Sequence, residues 1–219
     1  KCSSFFMAIV VKSMSMYLRL VPNALTGQKL FDMVVPYFDH LNTMVSDYPN
    51  DKNDLHKNAS LFTNQLLVLQ QFYRIAGPLL YCFKCERVAN IMVAFINSIR
   101  YFPEDKKQIA IDKAKFRILL SLSSARLIFE ESVRHILFPM FTKELSQAAA
   151  LPHCVHFVVP ILWNLFSVAR SDLIYQFIPV IAQSYHLELE RIKTSKMQTI
   201  KANARANMLN MNKFLLILT

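Results

Sequence analysis

Apolar residues recur at three- and four-residue spacing along almost the whole chain, the period of helices that each bury one face, and strand-like alternation is nowhere sustained. The pattern predicts nine helices. The first covers residues 3–20, with Phe6, Ile9, Val10 and Leu20 among its apolar positions, and stops before Pro22. The second begins near residue 26 and carries Leu30, Val34, Tyr37, Phe38, Leu41 and Val45. An exposed loop is expected over 46–58, where turn formers and charges crowd together. The third helix, 60–76, presents Phe62, Leu66, Leu69, Phe72 and Tyr73 and ends at Gly77-Pro78, a C-terminal glycine followed by a helix-starting proline. The fourth, 79–101, runs through Val88, Ile91, Met92, Phe95 and Ile99 and ends before Pro103. Further helices are predicted over 104–122, 124–144, 152–167, 171–186 and 187–210.

A local phrase of two apolar residues, a proline and two more apolar residues returns four times: Val34-Val35-Pro36-Tyr37-Phe38, Leu137-Phe138-Pro139-Met140-Phe141, Val158-Val159-Pro160-Ile161-Leu162 and Phe177-Ile178-Pro179-Val180-Ile181. A proline inside a helix removes one backbone hydrogen bond and costs ~3 kcal/mol unless the helix bends around it, so the four placements predict a repeated kink. The last three prolines are separated by 21 and then 19 residues, about one helix plus a turn. In period and proline placement the chain resembles the HEAT and armadillo-like repeat families. That resemblance implies antiparallel helix pairs stacked as a short α-solenoid through a single domain over 1–219, with a partner-binding surface and no catalysis.

Composition narrows the fold. Hydrophobic residues make up 53% and charged residues 18% of the 219, so more apolar surface than usual must be hidden. Glycine occurs only at Gly27 and Gly77, which removes the φ > 0 positions that hairpins, Rossmann turns and phosphate-binding loops need. The chain begins at Lys1 and stops within the apolar run Phe214–Leu218, so it reads as a segment of a larger protein. Cys2, Cys82, Cys85 and Cys154 form no dense framework, which points to a reducing compartment. The sequon Asn58-Ala59-Ser60 is a short pattern that chance readily supplies.

An integral membrane protein is the rival architecture, because residues 145–169 contain no Asp, Glu, Lys or Arg and a span needs ~20 residues. Against it stand Gln147, Pro152, His153, His156, Pro160 and Asn164 within that stretch, and charges inside most other helices. A central helix covered by its neighbours accounts for the same run.

The chemistry-bearing residues are few. Cys82 and Cys85 form a C-x-x-C, and His153 and His156 have the same spacing, which makes four metal ligands on paper. About seventy residues part the two pairs and both read as helix, where paired cysteines are ordinarily buried side chains, so no metal or other cofactor is expected. Glu131 and His135 are one helical turn apart, a spacing read as an exposed salt-bridged face rather than as an acid–base pair. Nothing presents a nucleophile on a tight turn, and no small-molecule substrate is indicated.

Charge is the last informative feature. The net charge is +10, with cations gathered at Lys106, Lys107, Lys113, Lys115 and Arg117, and again at Arg191, Lys193, Lys196, Lys201 and Arg205, an interval with no acid in it. Such faces attract phosphate, acidic protein or anionic membrane, or are simply solvated. The chain is therefore expected to be a non-enzymatic helical-repeat scaffold for a protein partner inside the cell, with the nucleus favoured by the basic balance. The alternative is nucleic-acid binding through phosphate contacts by the basic C-terminal helix.

Overall fold

A computed structural model of the chain describes residues 13, 27–47, 55–81, 83–99, 105–151, 153–168 and 175–218. The regular structure among them is entirely helical: α1 Gly27–Ser46, α2 Leu55–Ala76, α3 Cys85–Ser98, α4 Asp105–Ser123, α5 Glu131–Ala150, α6 Val155–Phe166, α7 Ile178–Thr194 and α8 Gln198–Leu218. Short 3-10 turns occupy Gly77–Tyr81, Arg126–Phe129 and Tyr175–Phe177. The all-α class is as expected, and these eight helices answer to the last eight of the nine. The first, 3–20, lies outside the described residues except for Ser13, which is helical. The chain divides into two units, Lys1–Ile118 and Leu119–Thr219, with the boundary inside α4.

In the first unit α1 packs against α2 and α3. Its buried residues are Val34, Phe38, Leu41 and Val45, the i, i+4, i+7, i+11 series that lies along one side of a helix. Phe38 meets Phe72 of α2 edge to face at 6.0 Å, and Phe72 stacks on Phe95 of α3 at 3.5 Å with the rings 3° apart. Burying each such ring contributes about 1.5–3 kcal/mol, so this aromatic column is the centre of the unit. Gln65, itself buried, closes the end of α1: its Nε2 donates to the carbonyls of Met44 (3.0 Å) and Asp47 (2.7 Å). The last carbonyls of a helix lack internal donors, and here α2 supplies one.

Two boundaries of this unit differ from expectation, and in the second unit the break predicted between 186 and 187 falls inside α7, which runs on to Thr194. Gly77 does not adopt the left-handed conformation of a helix-terminating glycine; it opens a 3-10 turn, and α3 starts only at Cys85, not at 79. Helix α2 begins at Leu55, so the end of the expected 46–58 loop is helical, while 48–54 lie outside the described residues.

The second unit holds the last turn of α4 and α5 to α8. Helix α5 packs against α6 and α7, and α8 packs against α7 and α6. Each helix thus meets its chain neighbour or the helix two further on, which is how two stacked helix pairs touch. Phe177 sits in the middle, 5.6 Å from the ring of Phe138 and 5.7 Å from that of Phe166. Asn164 of α6 donates to Ser123 Oγ at 2.9 Å, and that hydroxyl donates in turn to the Leu120 carbonyl. The uncharged run 145–169 is not one helix: α5 ends at Ala150, a turn follows, and α6 is 12 residues long, about 18 Å where a bilayer core is ~30 Å. No helix among the described residues is long and apolar enough to cross a membrane.

Three of the four repeated prolines lie inside helices, Pro36 in α1, Pro139 in α5 and Pro160 in α6. All three are exposed, as are Asp32, His135 and His156, whose carbonyls lose their i+4 donor to the proline. Those carbonyls therefore sit on the wet side of the helix, where the lost bond is least costly. Pro179 departs from the expected kink. It falls in the first turn of α7, where an N–H would have no helical partner in any case.

Candidate interaction surfaces

Helix α4 carries the first group of cations. The side chains of Lys106, Lys113 and Arg117 are exposed, and the steps of seven and four residues bring them within roughly 20° of one line along the helix. Lys107 points elsewhere, its ammonium 5.8 Å from the centre of the Phe62 ring on α2, and Lys115 is half-buried. Asp112 is the only acid between Lys106 and Arg117; it is buried and accepts a hydrogen bond from Gln108 Nε2. The three aligned cations make no ion pair with a described residue. Beside them on the same side of α4 stand half-buried Ile109 and Ala110, at i+3 and i+4 from Lys106.

The second group is organised differently. The interval 191–205 is not one basic helix: α7 ends at Thr194, Ser195 turns to extended backbone, and α8 starts at Gln198. The Ser195 hydroxyl accepts from the Met197 N–H at 3.2 Å, which fixes the entry to α8. Arg191 is committed to Glu188, with Nη1 2.6 Å from Oε1, and Asn207 of α8 approaches the same oxygen at 3.3 Å. The Glu188 side chain is 2% exposed and that of Arg191 20%, so this pair is largely buried within α7, and Asn207 ties it to α8. Lys193 pairs with Glu190 at 3.0 Å on the surface, and the bond and charge of the ammonium hold the Glu190 carboxyl below the usual range. Lys196 and Arg205 are exposed and Lys201 is half-buried. The expectation missed Glu188 and Glu190 because they precede the acid-free interval by three residues and one residue.

Three of the four metal candidates are among the described residues. Cys82 lies outside the described residues; Cys85 is the half-buried first residue of α3. His153 is half-buried in the turn before α6, and His156 is exposed on α6 with its ring 4.0 Å from that of Phe157. The cysteine pair and the histidine pair belong to different units. Glu131 and His135 are both exposed on the first turns of α5. A crevice between α6, α7 and α8, lined by Val158, Val159, Leu162, Ile181, Ser184 and Met211, has a volume of only about 10 Å³. That is room for about one water-sized molecule.

Comparison of the chain with protein-family models, with curated proteins and with solved structures finds no match.

Proposed function

We propose that the chain is a non-enzymatic helical scaffold that binds a protein partner within a larger intracellular assembly, and that its helix pairs continue as a HEAT-like α-solenoid. The observation that carries this reading is the aligned row of Lys106, Lys113 and Arg117, charged side chains presented to solvent on a packed helix. A pairing of helices like that of α5 to α8 supports the solenoid, because such pairs stack into long surfaces. The basic balance of the chain, +10, favours a nuclear setting. Nucleic acid is the second reading, favoured by exposed Lys196 just before α8 and exposed Arg205 on it, which would meet phosphate without reading bases.

Co-purification with affinity-tagged chain, with and without nuclease treatment, separates the two. The scaffold reading expects a stoichiometric protein that survives nuclease. Recovery of nucleic acid alone, or loss of every partner on nuclease treatment, overturns it.

A further inference from the structure

We infer that the Lys106–Arg117 side of α4 is a docking surface for an acidic amphipathic helix of a partner protein. This inference rests on the scaffold reading and names the surface and the chemistry of its occupant. The positions that share this side are Lys106, Ile109, Ala110, Lys113 and Arg117, in register i, i+3, i+4, i+7 and i+11. That is the register in which one helix meets another along its length, with small or apolar residues at the contact and charges beside it. Here the interior of the row is Ile109 and Ala110, both half-buried, and the exposed ends and flank are cations.

A partner helix with apolar residues against Ile109 and Ala110 would place carboxylates opposite Lys106, Lys113 and Arg117, spaced roughly 10 Å and 6 Å along the axis. Charge complementarity thus selects an acidic partner, and the apolar pair selects a helix over a phosphate backbone. A nucleic-acid backbone would gain nothing from Ile109, and among the described residues of α4 no aromatic is exposed for a base to stack on. A second copy of the chain is opposed by the +10 charge each copy carries. Among the described residues an acidic row with the right spacing is Asp32 and Asp39, exposed on α1, with Met33 exposed beside them.

The test uses the whole chain and a synthetic helical peptide of about three heptads with a leucine seam flanked by glutamates. Its companions are the same peptide with lysine for glutamate and a mixed-sequence RNA duplex. Fluorescence anisotropy should show binding of the acidic peptide that weakens with salt and no binding of the basic one. The triple variant Lys106→Glu, Lys113→Glu, Arg117→Glu should weaken it by at least about tenfold, and the triple alanine variant by less. Lys196→Glu with Arg205→Glu should leave it unchanged.

Peptide binding that ignores the α4 variants but falls with the Lys196 and Arg205 pair overturns the docking surface and leaves the scaffold reading standing. Failure of the acidic peptide to bind also overturns the surface, while co-purification still decides the broader reading. Binding of the duplex lost in the α4 triple variant, with the peptide unbound, overturns the assignment to a protein helix. Sedimentation equilibrium closes the remaining route: a dimer dissolved by the α4 triple variant or by Asp32→Lys with Asp39→Lys would make a second copy the occupant and overturn the inference.

Discussion

The two basic regions look alike as sequence, five cations each within fifteen residues, yet the fold uses them in opposite ways. On α4 the one acid between Lys106 and Arg117, Asp112, is buried with Gln108, and Lys106, Lys113 and Arg117 are exposed to solvent. At the α7–α8 junction the acids Glu188 and Glu190 precede the cations by one helical turn and capture Arg191 and Lys193 internally. Counting cations therefore overstates the charge available in both regions, at the junction through ion pairs with acids of α7 and on α4 through Lys107 and Lys115 alone. Available charge is decided by what lies one turn away.

The largest test of this contrast is Glu188→Ala. It leaves the Arg191 guanidinium and Asn207 without their shared oxygen, and because Arg191 keeps some contact with water the expected loss is about 2 kcal/mol rather than the 3–5 of a fully enclosed pair. Urea unfolding reads it directly; unchanged stability would mean that the junction holds its cations no more firmly than α4 does. A smaller effect of opposite sign is expected from Lys113→Glu. This variant puts a carboxylate four residues before Arg117 and relieves repulsion along the row, so the fold should gain about 0.3 kcal/mol at low salt. Loss of stability there would show that the row is already neutralised.

The smallest effect concerns Glu190. Its folded pKa is lowered, chiefly by the hydrogen bond from Lys193 and then by that residue's charge. The pair's contribution is therefore present above the ordinary glutamate pKa and lost as pH falls through the lowered one. An NMR titration of the Glu190 carboxyl should show a midpoint below that of an ordinary glutamate, moving back upward in Lys193→Gln. An unmoved midpoint would detach Lys193 from Glu190 and return it to the pool of available cations.

How much of this was legible follows from where the information sits. The α1 face of Val34, Phe38, Leu41 and Val45 is written in the spacing of the residues, so the helix and its buried side are read from the sequence together. The break at Ser195–Met197 is not, since it involves neither glycine nor proline and depends on the Ser195 hydroxyl and the Glu188–Asn207 contact that folds α8 back along α7. The 3-10 turn Arg126–Phe129 was likewise hidden within a predicted helix start; it is held by Arg134, which donates to the carbonyls of Ile128 (3.1 Å) and Phe129 (2.8 Å). Of the basic candidates, the α4 row was legible as an i, i+7, i+11 series. The capture of Arg191 was visible in principle as an i, i+3 pair, but the acid lies outside the interval that drew attention.

The three prolines on the wet sides of α1, α5 and α6 carry a consequence for motion. The turn preceding each has one backbone rung fewer and faces solvent, so its amides need less opening to exchange with deuterium than those of the turns on either side. Each of these helices thus has a soft point set at its middle and away from its packed side. Bending there lets the helix follow a neighbour that shifts while its buried stripe stays in contact, which is the kind of compliance a long binding surface draws on when its partners differ in shape.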